Sequence, residues 1–412
     1  MSAWSLPHRV LAHAALSLAL AGCATWQGPA GIDDSALRAR ATVATANGQD
    51  VRVGAVVVGE ETSRKMFGPD IDKANVVPVW IEVENRSPQP LWLLRSGTDP
   101  DYFSPLEVAW SMHKTLAGAT NASIDEHIQE LAFDNPIPPG ATHSGVIFIN
   151  PQGGTTLVNI DLFGRKTLVP FSLFLHPDDH DGPPPLTFQH PQAQVTDYHD
   201  LDALRSALER LPCCATDASG SVQGDPLNVV FIGTMADLGA ASIRRNYRRD
   251  ARESDTAQRV FGREPDIVAR KRAQTGAPAT WVRLWATPMQ FDGKPVFVAQ
   301  VGRPVGGRFS SGNTAGVVLH GDVDETRNLL VQDMMYSGGL EKLGFVTGVG
   351  EAAEASPRSA FEGARYHTDG LRAVMFFAAR PLSLSDVQIL DWVPFLEQRE
   401  AAARERGSDE HE

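Results

Sequence analysis

Residues 227–233 read LNVVFIG, and the reading of these few positions decides the fold of the second half of the chain. An unbroken apolar run closed by Gly233 suits a continuous, fully buried strand. Thr234 is placed to cap the helix that follows, over about 235–249. Further out, residues 281–287 and 296–301 read as a strand pair around an Asp292-Gly293 turn. Residues 322–336 have helical spacing, with Val323, Leu329, Leu330 and Met334 facing inward, and 345–349 and 371–379 read as two more strands. On the near side, Asp200 caps a helix whose Leu201, Leu204, Leu208 and Leu211 form one stripe, ended by Pro212. The order βαββαβ with one added strand predicts an α+β domain built on a ferredoxin-like antiparallel sheet, its helices on one face.

The first half follows a different rhythm. Residues 51–59, 76–84 (VVPVWIEVE), 90–94, 145–149, 156–162 and 168–175 are short apolar or alternating runs, separated by turn residues such as Asn85-Arg86-Ser87-Pro88. Six short strands with Pro and Gly turns predict an all-β, immunoglobulin-like sandwich. One helix interrupts it, with Ser123 as cap and Ile124, Ile128, Leu131 and Ala132 on one face, and is expected on the sandwich rim. Between the halves, residues 177–194 are rich in proline and aspartate, and Pro183-Pro184-Pro185 favours an extended spacer.

The start of the chain carries the strongest local signal. Arg9 is followed by an apolar run over 10–20, too short for a bilayer span, and then by Leu20-Ala21-Gly22-Cys23. Those four residues resemble a bacterial lipobox. The expectation is a signal peptide over 1–22 and lipidation of the Cys23 thiol, which anchors the chain in a membrane without a spanning helix. Ala24 stands where Asp would retain a lipoprotein in the inner membrane, so the outer membrane is favoured, with the protein facing the periplasm. Residues 23–46 then read as a tether, 47–176 as the sandwich, 177–194 as the linker, 195–395 as the α+β domain and 396–412 as a charged tail. The 412 residues carry 37 Lys and Arg against 50 Asp and Glu, a net charge of −13 that becomes −14 without residues 1–22. Such a balance argues against nucleic acid as a partner.

Three stretches of the second half share a pattern. Gly224-Asp225-Pro226-Leu227-Asn228 leads into the buried strand. Arg270-Lys271-Arg272 precedes Trp281-Val282-Arg283-Leu284-Trp285 across the insertion 273–280, and His320-Gly321-Asp322-Val323-Asp324 opens the last helix. Together they resemble the LssY C-terminal domain family over about residues 198–379. The resemblance implies a setting rather than an activity, since members are fused to a membrane lipid phosphatase or are lipid-anchored behind a leading sandwich. Residues 78–80, 85–87 and 99–105 are similar to that leading region. The Ser-Gly-His element of such phosphatases does not occur in the chain.

Few motifs with chemistry of their own are present. HEXXH, P-loop and GXSXG patterns are missing from the sequence. Cys213 and Cys214 are neighbours, open to a strained, reducible bond with each other, to a buried and an exposed thiol, or to a crosslink with another chain. His320, Asp322, Asp324 and His367, with Asp369, have the donor types for a divalent metal or for acid and base; Asp322 or Asp324 equally suits a helix cap. No cofactor or metal is expected. Residues 244–283 hold eleven basic against five acidic side chains, whereas 178–202 hold six Asp and no cation. Arg270, Lys271, Arg272, Arg283 and Trp285 are therefore the candidate ligand-binding residues, for phosphate or carboxylate groups. Contact with the acidic stretch and a plain solvated face are the alternatives. The leading expectation is a non-catalytic binding or accessory module for an anionic envelope lipid or polymer, or for an envelope protein. The competing one is a periplasmic hydrolase using His320, Asp322, Asp324 or His367.

Overall fold

A computed structural model of the chain describes residues 26, 28–29, 33–46, 50–98, 102–115, 117–151, 154–176, 194–249, 258–271, 280–305, 318–319, 321–359 and 364–393. The chain divides into two compact units, Met1–Gly182 and Pro183–Glu412. Both are mixed α/β with mainly antiparallel sheets. The expected signal segment, Cys23, nearly all of the proline-rich linker and the charged tail lie outside the described residues.

In chain order the first unit holds α1 (Asp34–Arg40), β1 (Thr42–Thr45), β2 (Val51–Val57), α2 (Glu60–Phe67), β3 (Val77–Asn85), β4 (Trp92–Leu93), β5 (Tyr102–Phe103), α3 (Pro105–Ser111), α4 (Gly118–Leu131), β6 (Thr142–Ile149), β7 (Thr156–Gly164) and β8 (Thr167–Leu175). The strands form a five-stranded sheet, β1-β2-β3-β6-β5, and a three-stranded one, β4-β7-β8. Val53, Val79, Ile81 and Ile147 of the first sheet share a core with Val158, Ile160, Leu162 and Phe171 of the second. The opposite face of the larger sheet is also buried, because Val56, Trp80, Val146 and Phe148 pack on Leu37, Met66, Phe67, Val108, Ile124 and Ile128 of the helices. This second core is why β3 reads as a near-continuous apolar run.

The all-β expectation fails here for a physical reason: a sheet with two apolar faces needs two covers, and helices supply the second. α4 lies on that face through Ile124 and Ile128 rather than on a rim. It begins at Gly118, so Ser123 sits inside it and its hydroxyl donates to the Ala119 carbonyl instead of capping. Residues 34–45, expected within a tether, form α1 and the edge strand β1, which pairs antiparallel with β2. One buried leucine, Leu37, and the ion pair of Arg38 with the buried Glu82 hold that helix down. A single apolar anchor leaves no periodic signal to read.

The second unit runs β9 (Thr196–Tyr198), α5 (Leu201–Glu209), β10 (Cys214–Thr216), β11 (Gln223–Pro226), β12 (Val229–Ile232), α6 (Met235–Arg244), β13 (Tyr247–Arg249), β14 (Ile267–Lys271), β15 (Trp281–Phe291), β16 (Lys294–Gly302), β17 (Pro304–Val305), β18 (Val318–Leu319), α7 (Val323–Tyr336), β19 (Leu340–Val346), β20 (Arg358–Ser359), β21 (Arg365–Tyr366), β22 (Arg372–Phe377) and β23 (Gln388–Ile389). Its main sheet has the order β13-β14-β15-β16-β12-β22-β19-β23, with β9 beside β15. β12 is central and buried on both sides. Val229 and Phe231 meet Leu238 and Ala241 of α6 and Leu330, Val331 and Met334 of α7. Val230 and Ile232 meet Leu204, Ala207 and Leu208 of α5. Each such side chain contributes roughly 1.5–3 kcal/mol, so the run LNVVFIG is the hub of both cores.

Several expectations need correction. Helices cover both faces of this sheet, α5 on one and α6 with α7 on the other. A split βαβ sets the first strand directly beside the fourth, but here β22 lies between β12, to which it is parallel, and β19, to which it is antiparallel. α6 is capped by Thr234 as read, in a reciprocal box with Asp237. It stops at Arg244, since Asn246 adopts a left-handed conformation (φ 64°) and turns the chain into β13. On α7, Leu329 points outward and Val331 takes its inward place. Cys213 and Cys214 are bonded to each other.

Arg372, the first residue of β22, is fully buried and donates to five backbone carbonyls, those of Leu208, Leu211, Pro212, Leu227 and Gly348. Burial draws its pKa down to about 10, which leaves it charged at neutral pH. Gly348 is required beside it: its φ is 121°, and a Cβ there would lie 2.7 Å from the Glu209 carbonyl oxygen. Replacing Arg372 by Met keeps much of the volume and strands those carbonyls. The expected loss is about 3 kcal/mol or more in urea unfolding of the second unit; a loss below about 1 kcal/mol would show that the carbonyls find other donors.

Candidate functional site

Three neighbouring strands of the second unit bring polar side chains onto one sheet face. In the β14–β15–β16 register, Arg270 stands opposite Trp281, Trp281 opposite Gly302, and Arg283 opposite Gln300. Cross-strand partners share a face, so Arg270, Trp281, Arg283 and Gln300 form one group. The guanidinium carbons of Arg270 and Arg283 lie 5.8 and 5.6 Å from the Trp281 ring centre. Nη1 of Arg283 donates to Oε1 of Gln300 at 3.1 Å and lies 3.6 Å from the Asp225 carboxylate. The Trp281 ring lies against Gly302, where a Cβ would come within 2.3 Å of it. Only glycine leaves that space.

The site is built almost entirely below the surface. Trp281 is 8% exposed, Arg283 9% and Gln300 1%, and Trp281 packs against Val323 and Tyr366. Tyr366 is also buried, and burial raises its pKa, so its phenol stays neutral. Asn228 donates to the Val323 carbonyl and accepts from the Val301 amide, which pins the start of α7 to this end of the sheet. Within this group the indole Nε1 of Trp281 and the amide Nε2 of Gln300 are buried donors with no hydrogen-bond partner among the described residues. Flipping the Gln300 amide does not help, because it would turn an NH2 group toward the Arg283 guanidinium. An unsatisfied buried donor costs about 1–3 kcal/mol. Two donors and two guanidiniums, against the single carboxylate of Asp225, suit an oxyanion.

The sequence candidates separate on this structure. Arg270 and Arg283 join the site. Lys271 projects to the other face, where it, the Arg245 guanidinium and the Tyr247 hydroxyl all donate to the Asp333 carboxylate of α7, at 2.5, 3.1 and 2.9 Å. Burial and that carboxylate push the Tyr247 phenol well above its ordinary pKa. This cluster fastens α7 to the sheet edge, so Lys271 is occupied by a structural tie. Trp285 is fully buried in a core with Leu227 and Val298, its indole donating to the Arg263 carbonyl at 3.1 Å, and so is removed from any ligand. Arg272 lies outside the described residues. Trp281 lies close to these arginines in sequence, whereas nothing local marks Gln300; only the strand register brings the two together.

The described members of the acidic and histidine set form no metal-binding group. His320 lies outside the described residues, and among those described no group of three or more His, Cys, Asp or Glu could hold an ion. Asp322 is the N-cap of α7 and accepts from the amides of Asp324 and Glu325. His367 reaches the same carboxylate at 3.8 Å. Asp324 is buried, accepts from the Thr368 hydroxyl and the Asp369 amide, and lies 3.2 Å from Arg327. Burial pushes its pKa up and Arg327 opposes that. Arg327 is itself fully buried and makes a bidentate pair with Asp369, both bonds 2.8 Å. These residues lock the start of α7 to the strand β22.

The family model described as LssY C-terminus matches residues 256–371, a shorter stretch than the resemblance suggested. It contains Arg270, Trp281, Arg283, Gln300 and Gly302, the whole of α7, and ends at the residue before β22. No curated protein matches the chain.

If Asp322 serves as a cap, Asp322→Ala costs about 1 kcal/mol and Asp322→Asn nearly nothing, since Asn caps as well as Asp. Thermal unfolding of the two variants distinguishes this from a role needing the carboxylate charge. Gly302→Ala is expected to lift the Trp281 ring and cost about 1–3 kcal/mol, seen as a changed tryptophan emission maximum and a lower Tm.

Proposed function

We propose that the chain is a lipid-anchored envelope protein, held at the outer membrane through Cys23 and facing the periplasm, whose LssY C-terminal domain is a non-catalytic module that binds an oxyanion. The ligand class is a phosphate or carboxylate group carried by an envelope lipid or polymer. The observation that carries the reading is the pair of buried, unpartnered donors, Trp281 Nε1 and Gln300 Nε2, set beside Arg270 and Arg283. A ligand oxygen accepting from both offsets the cost of leaving these donors unmet. Arg270, half-buried at the margin of the group, supplies attraction from outside and stacks on the indole. Nothing in the group resembles a nucleophile with its base, which supports binding rather than turnover. The lipobox-like Leu20-Ala21-Gly22-Cys23 supports the anchor.

Calorimetric titration with inorganic phosphate, dihexanoyl phosphatidate and an alginate oligosaccharide tests the ligand class. Binding is expected for at least one of them, weakening with salt. Trp281→Phe, which keeps the ring and deletes the donor, should weaken it about 5- to 20-fold. Arg270→Gln should weaken it and flatten the salt dependence. Binding by none of the three, or binding indifferent to both substitutions, removes the oxyanion reading. For the anchor, labelled palmitate should enter the wild-type chain and not Cys23→Ser, which should also leave the membrane fraction.

A further inference from the structure

The outer face of the sheet β4-β7-β8 carries three large apolar side chains in a row. Trp92 pairs with Phe163 across β4 and β7, and Phe163 pairs with Leu168 across β7 and β8. They are 40%, 51% and 47% exposed, while their neighbours Leu93, Leu162 and Val169 point into the core. The strands β7 and β8 meet in a tight turn at Arg165 and Lys166, both exposed. Neither cation pairs with a carboxylate among the described residues. On the same face of β7 the nearest acid along the strand is Asp161, which is half-buried.

We propose that this hairpin tip is a docking surface for an anionic lipid bilayer. Trp92, Phe163 and Leu168 enter the boundary between headgroups and acyl chains, and Arg165 and Lys166 meet lipid phosphates. The alternation of aromatic and aliphatic side chains with adjacent cations is the chemistry of that boundary. Two considerations favour lipid over a second copy of the chain. Three partly exposed side chains offer on the order of 300 Å2, whereas a stable protein interface needs roughly 600 Å2 or more from each partner. The chain as a whole carries −13, yet this tip presents two exposed cations side by side, which suits an anionic surface. The inference is independent of the oxyanion site and of a lipid on Cys23, since it rests on other residues.

Hydrogen–deuterium exchange on the full chain in vesicles reads this surface locally, whatever holds the rest of the chain to lipid. Amides 163–168 are expected to exchange about threefold or more slowly on phosphatidylglycerol vesicles than on phosphatidylcholine vesicles. Arg165→Gln combined with Lys166→Gly should abolish that difference. The glycine fits Lys166, whose φ is 59°, so the fold is retained. Trp92→Ser, Phe163→Ser and Leu168→Ser together should remove the slowing on both lipids, with unchanged exchange in β2 and β3 showing that the unit is folded. Equal exchange on the two vesicle types, or slowing that survives these substitutions, overturns the proposal. So does slowing that appears without vesicles as protein concentration rises, which would identify a second copy as the occupant.

Discussion

The second unit depends on a buried guanidinium that has no carboxylate partner in its hydrogen-bond set. Arg372 bonds to carbonyls at the end of α5, in the loop after it, before β12 and after β19. The Leu208 carbonyl also accepts the Leu211 amide; those of Leu211, Pro212, Leu227 and Gly348 lie between regular elements. A guanidinium, planar and with five N–H groups, can serve several at once where a lysine could not. The carbonyl dipoles in turn compensate the desolvation of the charge, which an apolar pocket would not do. The result is a fixed junction of four segments from distant parts of the sequence, and it sets β22 between β12 and β19.

That placement carries through to the candidate site. β22 sits on one side of β12 and β16 on the other, with Val229 opposite both Ala373 and Ala299. The position of β16 determines where Gln300 and Gly302 meet Arg283 and Trp281. A second buried arginine, Arg327, bonds the Leu371 carbonyl just before β22 and ties α7 to Asp369. Asn228, just before β12, holds the Val323 carbonyl at the first turn of the same helix. Val323, against which Trp281 packs, is thus fixed from two sides. A site held this way is pre-organised, so unsatisfied donors in it are a stored cost rather than slack.

Much of the local structure could be read from the residues. The run 227–233, the Thr234 cap, the Asp292-Gly293 turn with both residues left-handed, and the Asp322 cap all follow from short-range rules and all occur. Where the reading failed, the missing information was long-range. Of the four helices on the first unit's larger sheet, only α4 has a readable apolar face; the other three show themselves only through the doubly apolar β3. The insertion of β22 beside β12 has no local signature. At the site, counting back from the Asp292-Gly293 turn would set Arg283 opposite Gly302. A register shift between Ala286 and Gln290 moves Gln300 there instead.

The sequence by itself determined the central elements of the second half, the two halves with a proline-rich stretch between them, the basic character of residues 244–283 and the lipobox-like start. These depend on periodicity, capping chemistry and charge, which act over a few residues. Only the tertiary structure decided which cations serve the site and which serve the fold. Arg270 and Lys271 are adjacent, yet the alternation of a strand sends one to Trp281 and the other to Asp333 on the opposite face. Trp281 and Trp285 share one face of β15, and depth alone separates the indole with an unmet donor from the one bonded in a core. Face and depth are properties of strand pairing and packing between residues far apart in the chain, and no local pattern encodes them.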